Sequence, residues 1–268
     1  MTDAIFAGSI PKFYETHLVP LIFEPYAPDL ARRLASNAPR RVLELAAGTG
    51  VATRALASIL PATSSIIATD LNAPMLEQAK AIDIARPVEW RQGDAMQLPF
   101  EDGTFDAVVC QFGVMFFPDK PLAFSETRRV LAEGGVFVFN VWDRIEENEF
   151  ADMVTTALTR RYPDDPPRFL ARVPHGYFDC RAIERDLANG GFARPPRIDT
   201  VAARSRAASA SVPAMAYCQG TPLRNEIEAR DPSGLGAATD VAAEAIAQRF
   251  GRGAVDAKIQ AHVVMIER

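Results

Sequence analysis

Glu44, Gly48, Gly50 and Asp70 are the residues whose types and spacing could do chemistry. The two glycines close the apolar run "RVLELAAG" and open a helix pattern, "VATRALASIL". A glycine turn between strand and helix lays backbone N–H groups beside a ligand and lets it approach closely. Asp70 ends the next apolar run, "SIIATD", 20 residues after Gly50. An acid at the tip of that strand can accept both hydroxyls of a ribose. Each signal has a plainer reading: a tight turn for the glycines, a turn or helix-capping Asp for Asp70. Asn72 offers the better cap, which favours the ribose. Together they suit an adenosine ligand, a nicotinamide dinucleotide included. Glu44, in the carboxyl half of its strand, would repel a pyrophosphate and suits a cationic or ammonium group. The dinucleotide register Gly48, Gly50, Thr53 also lacks the third small residue that close helix packing wants.

Other chemistries lack their residues. His17, His175 and His262 are far apart, and no Cys/His cluster has zinc spacing. No nucleophile elbow of G-x-S-x-G type occurs. Cys110, Cys180 and Cys218 are odd in number and widely spaced, which predicts inert thiols in a reducing, cytoplasmic setting. The net charge is −5, and arginine pairs such as Arg128-Arg129 lie among acids, so no basic stripe points to nucleic acid. The longest apolar run, "AVVCQFGVMFF", is too short to span a bilayer, and "MTDAIFAGSIPKFYE" does not read as a secretory signal.

The elements that must position these residues alternate from Arg40 to Asp143. Apolar runs "RVLELAA", "SIIATD", "VEWRQGDA", "FDAVVCQFGV" and "VFVFNVW" read as five strands. Helices fall between them: Val51, Ala55, Leu56 and Ile59 share one face, and Met75, Leu76, Ala79 and Ile82 another. Asp119 is placed to cap "KPLAFSETRRVLAE", expected to end at Gly134-Gly135. This is an α/β pattern with a parallel, doubly wound sheet. Beyond Asp143 come a helix near 146–161, a proline-rich loop, the helix "CRAIERDLANGGF", a strand "RIDTVAARSRA", a helical stretch and the alternating strand "AKIQAHVVMIER".

Glu44-x-Ala46-x-Gly48-x-Gly50, Asp70, Gly93-Asp94-Ala95 and "LPFEDGTFDAVVCQFGVMFF" together resemble the class I S-adenosylmethionine-dependent methyltransferases, in the branch of the ubiquinone/menaquinone C-methyltransferases. The resemblance is strong over about 40–143 and loose elsewhere. Ala46 departs from it, standing where the family usually has its first glycine. The resemblance implies a Rossmann-like, doubly wound seven-stranded sheet with the last strand inserted antiparallel. It implies that Glu44 and the backbone of Ala46, Ala47, Gly48, Thr49 and Gly50 hold the methionine part, and that Asp70 takes the ribose. Leu71 and Met75 would flank the adenine, Asp94 and the Ala95 N–H would bind its edge, and Gln111 would lie near the methionyl group. S-adenosylmethionine would be the methyl donor and S-adenosylhomocysteine the product.

A sulfonium methyl is already activated, so alignment of a nucleophile and exclusion of water are the protein's tasks. The acceptor, a small molecule, is expected beyond the strand ends that carry Phe112, Met115, Phe116, Phe117 and Trp142; ordinary core is the plainer reading for some of these, at least one of Phe116 and Phe117 should face the pocket, and Phe112 would also lie against the cofactor. Tyr14, His17 and His175 are the candidates for a base, each with a structural or positioning role as the plainer reading; Tyr14 is also a candidate cofactor contact. A single domain over 1–268 is expected. Its core is about 38–206 plus 257–268, with an N-terminal lid over 1–37 and a helical insert over 207–256. The alternative for these outer segments is a homodimer interface. Two other functions stay open: a non-catalytic S-adenosylmethionine-binding protein, and a nicotinamide-dependent oxidoreductase, which Glu44 and Thr53 disfavour.

Overall fold

The computed structural model describes residues 10–268; the start of the expected N-terminal lid, residues 1–9, lies outside the described residues. The elements, in chain order, are a helix α1 (Ile10–Phe13) continued in π register over Tyr14–Phe23, then α2 (Ala27–Ala35), β1 (Arg41–Glu44), α3 (Val51–Ile59), β2 (Ser65–Asp70), α4 (Ala73–Lys80), β3 (Glu89–Gln92), β4 (Phe105–Gln111), α5 (Lys120–Val130) and β5 (Leu131–Trp142). They are followed by α6 (Glu149–Arg161), α7 (Phe169–Arg172), α8 (Cys180–Asn189), β6 (Arg197–Ala207), α9 (Ser211–Gln219), α10 (Leu223–Arg230), α11 (Leu235–Phe250) and β7 (Val255–Glu267).

The seven strands form one sheet in the order β3-β2-β1-β4-β5-β7-β6. β1 to β5 run parallel, with Leu43 opposite Ile67 on one side and Val108 on the other. β7 enters antiparallel to β5, with Phe139 opposite Val264. This is the expected sheet, including its inserted last strand. The order reverses at β1, so the ends of β1, β2 and β4 face a topological switch point, where doubly wound sheets bind ligands.

By packing, the chain divides into two compact units: Met1–Pro25, Asp143–Gly176 and Ala202–Gln260 in the first, and Tyr26–Trp142, Tyr177–Val201 and Ala261–Arg268 in the second. The second unit holds a core of Leu30, Leu34, Val42, Leu56, Val109, Val138 and Val263. α2 supplies Leu30, Ala31 and Leu34 to it, so residues 27–35 pack as core and not with the N-terminal lid to which the sequence reading assigned them. In the first unit α11 packs on α6 and α9, and Phe150 meets Phe250 edge-on at 5.2 Å between ring centroids.

Two local expectations are corrected. α5 stops at Val130 and not at Gly134, because Leu131 already pairs with Phe105 on β4. Gly134, with φ of 73°, then sits inside the long strand β5 at its irregular pairing. Asn72 occupies the position before α4 but its side chain does not cap that helix; its amide and its N–H both turn back to Asp70. Among the described residues no helix is long and apolar enough to cross a membrane.

Candidate functional site

The site grows out of the end of β1 in the second unit. Glu44 is the last residue of that strand and is 1% exposed. Beyond it the chain makes a turn in which Ala46, Gly48 and Gly50 all take left-handed φ, of 51°, 58° and 85°. Glycine does this freely, whereas an L-residue such as Ala46 gives up roughly 1–2 kcal/mol. Gly50 also has a packing reason to be glycine: a Cβ there would stand 2.8 Å from the indole of Trp90 on β3.

The turn's hydrogen bonds show what it has left to offer. Ala47 N–H goes to Thr69 O at 2.9 Å, Gly50 N–H to Ala47 O at 2.9 Å, and Gly48 N–H to Asp70 Oδ2 at 2.8 Å. Arg54 on α3 donates to Thr49 O at 2.8 Å. Ala46 N–H and Thr49 N–H have no acceptor among the described residues. The turn therefore presents two bare donors, fewer than a glycine-rich stretch alone suggests. The Thr49 hydroxyl is buried without a partner as well.

Glu44 lies beneath this turn. Its Oε2 is buried without a hydrogen-bond partner. Burial pushes its pKa up to about 8; the Thr53 hydroxyl and the charge of Arg54 oppose that, Asp70 adds to it, and the Thr53 N–H opposes it. Thr53 stands in the first turn of α3, whose N-cap, Gly50, has no side chain. Glu44 thus sits by the positive end of a helix, which favours an acid. Its remaining oxygen is left for a cation, since a buried orphaned carboxylate oxygen is costly.

Asp70 ends β2, 6% exposed. Oδ2 accepts from Gly48 N–H, and Oδ1 accepts from Asn72 N–H at 2.7 Å and from its amide at 3.3 Å. Burial raises its pKa against these bonds. The turn role that the sequence argument discounted is therefore real: Asp70 staples β2 to the glycine turn. A carboxylate oxygen has two lone pairs, so acceptor capacity is left for a ribose. Leu71 beside it is 52% exposed, an apolar surface at the strand tip, whereas Met75 is buried in α4. Asp94 is half-buried after β3 and accepts from Met96 N–H at 2.9 Å. Ala95, between them, is half-buried too.

Gln111 closes β4 and is buried, opposite Asn140 on β5. Phe112 follows with φ of 51°, left-handed like Ala46. Its residue type does not signal this conformation, and the structure shows what holds it. Asn140 Oδ1 accepts Phe112 N–H at 2.9 Å. The Phe112 ring lies flat on Trp142 at 3.8 Å and 8°, and Tyr26 meets both rings edge-on. These three rings are buried against one another, so Phe112 and Trp142 pack as core, the plainer of the two readings open to the aromatics at this strand end. Phe116 and Phe117 are the half-buried aromatics at this strand end. Asn140 was missed by sequence reasoning, as was Trp90; a buried Asn inside the apolar strand "VFVFNVW" was the available signal.

Glu44, the Ala46–Gly50 turn, Asp70, Leu71, Met75, Asp94, Ala95, Gln111 and Phe112 all belong to the second unit. The three candidate bases do not; Tyr14, His17 and His175 belong to the first. Tyr14 stacks on Phe23 at 5.1 Å, and His17 lies 5.7 Å from the Phe13 ring. His175 is buried, with Nδ1 2.9 Å from Asp143 O. A carbonyl can only accept, so Nδ1 carries the proton. Burial lowers the His175 pKa to about 4. That makes it a weak base and fits a structural part.

Residues 43–139 match the family described as a methyltransferase domain. The demethylmenaquinone methyltransferase of Lactiplantibacillus plantarum is 46% identical over 109 residues, 39% of this chain and 45% of that protein. The ubiquinone/menaquinone biosynthesis C-methyltransferase UbiE of Saccharophagus degradans is 39% identical over 99 residues, 35% of this chain and 40% of that one. The chain thus spans less than half the length of these curated relatives. Phosphoethanolamine N-methyltransferase 2 of Haemonchus contortus, solved with phosphomonomethylethanolamine and S-adenosylhomocysteine, shares the fold. Its TM-score is 0.56 at 16% identity, over 96% of this chain and 57% of that one.

Proposed function

We propose that this chain, whose residues 43–139 match the family described as a methyltransferase domain, is a class I S-adenosylmethionine-dependent enzyme that transfers a methyl group to a small-molecule acceptor. The observation that carries the proposal is the buried Glu44 with its unpartnered Oε2. It lies under a turn that keeps Ala46 N–H and Thr49 N–H free, with Asp70 and Asp94 at the ends of the next two strands. The residues present fit S-adenosylmethionine. Glu44 suits its ammonium, the two bare N–H groups suit its carboxylate, and Asp70 and Asp94 suit the ribose and the adenine amino group. When bound, that molecule supplies a methyl on a sulfonium, ready for in-line displacement by a nucleophile. The chain's own part is to bind, orient and keep water out. Quinone-type acceptors are the first to test, because the relatives above are named for such substrates, and the free cysteines fit a cytoplasmic setting.

Calorimetry and thermal shift with S-adenosylhomocysteine, and separately with nicotinamide dinucleotides, test the binding half; stabilisation by the former alone is expected. A labelled-methyl assay on quinols, phenols, amines and carboxylates tests the transfer. Binding without transfer to any acceptor class would favour the non-catalytic alternative. Stabilisation by a nicotinamide dinucleotide alone would refute the proposal.

A further inference from the structure

Gly113 follows Phe112 with φ of −102° and ψ of −34°, a conformation open to any residue. Its lack of a side chain is therefore not a matter of backbone freedom. Space explains it. A Cβ on Gly113 would lie 2.5 Å from Ala46 Cβ and 2.7 Å from Cys110 Sγ, closer than carbon atoms pack. Ala46 carries the methyl at the turn position where its φ of 51° would suit glycine. The exit of β4 thus leaves a gap shaped for that methyl. The Ala46 backbone beside it presents one of the turn's two bare N–H groups.

We propose that Gly113 is a positioning residue for the cofactor: by leaving room for the Ala46 methyl, it holds the first residue of the glycine turn in the left-handed conformation that aims Ala46 N–H at the ligand. The inference rests on the function proposed above. It makes the segment after β4 part of the cofactor site, although Gly113 itself touches no ligand. It also explains how the chain tolerates alanine at position 46: the missing glycine of the turn is compensated by a glycine on the neighbouring strand's exit.

The test uses the full chain with Cys110→Ala as the parent, which removes the Sγ neighbour, and reads binding of S-adenosylhomocysteine and of adenosine by calorimetry. Adding Gly113→Ala should push Ala46 aside and weaken S-adenosylhomocysteine about tenfold or more, while adenosine, which lacks the methionine part, stays within about twofold. Adding Ala46→Gly to that variant should restore S-adenosylhomocysteine binding to within about threefold of the parent. Equal weakening of both ligands would mark a general packing defect and overturn the proposal. So would unchanged binding in the Gly113→Ala variant, or no rescue by Ala46→Gly. If the parent itself binds no S-adenosylhomocysteine, the proposed function fails and this inference with it, an outcome distinct from the others.

Discussion

Glu44→Gln separates the two roles that Glu44 can have, a prop for α3 and a seat for a cation. With a pKa of about 8, Glu44 is protonated in roughly nine molecules of ten at pH 7 before ligand arrives. Binding an ammonium requires it to ionise, at a cost of about 1.4 kcal/mol at that pH, and releases close to one proton. From pH 6 to 7.5 the ionised fraction rises roughly twenty-fold, and affinity for S-adenosylhomocysteine should rise with it. Adenosine, with no ammonium, should show no such slope. Glu44→Gln keeps the shape and the neutral hydrogen-bonding groups but cannot ionise, so its slope and its proton release should both vanish. The apo protein gives an independent sign. A carboxyl whose folded pKa lies above its unfolded value contributes stability at low pH and loses it as pH climbs through about 8. Wild type should thus lose about 1.4 kcal/mol relative to Glu44→Gln between pH 7 and pH 9. The groups that set this behaviour are Arg54, Asp70 and Thr53, with the Cys110 thiol close enough to feel Glu44's charge. Calorimetry in two buffers of different ionisation enthalpy measures the proton count. Equal proton release by wild type and Glu44→Gln would refute the assignment of the ammonium to Glu44.

Asp70→Ala removes the acceptor for two backbone N–H groups, so it should cost about 2–4 kcal/mol of stability and weaken S-adenosylhomocysteine on the order of ten- to a hundredfold. Urea denaturation with calorimetry would check both, and wild-type stability in this variant would contradict the staple. His175, held well below its usual pKa, should stabilise the protein above about pH 6.5 and lose that contribution as pH falls toward 4. The stability difference between wild type and His175→Gln should therefore shift by about 2 kcal/mol against wild type between pH 7 and pH 5, by urea titration at each pH.

The sheet was legible because its strands are nearly continuous apolar runs punctuated by glycine and proline, the pattern of strands buried on both faces. "KIQAHVVMIER" could be placed as the inserted last strand by resemblance, and its pairing with β5 bears that out. Glu44 and Asp70 were legible because a buried acid at a strand end is expensive and so needs a reason. What that reason includes was less legible. Asp70's bonds to Gly48 and Asn72 depend on how closely β2 approaches the turn, which no spacing reveals. The end of α5 was misplaced because "LAEGG" has a good helix former at each position before the glycines, while the pairing of Leu131 with Phe105 is a long-range contact that overrides local preference.

The left-handed residues mark the deeper limit. Ala46 and Phe112 lie just beyond the ends of the adjacent parallel strands β1 and β4, and each takes φ of 51°. Neither residue type signals that conformation, since the strain is carried by neighbours that lie far off in sequence. Ala46 depends on the gap at Gly113, and Phe112 on the carboxamide of Asn140 and the ring of Trp142. Such conformations persist where the surrounding structure over-determines them. Here both sit at the switch point of the sheet, where backbone direction decides which N–H groups reach a ligand. A chain that keeps glycine at only two of the turn's three left-handed positions must therefore spend a glycine elsewhere. Gly113, ordinary in its own backbone, is where it does so.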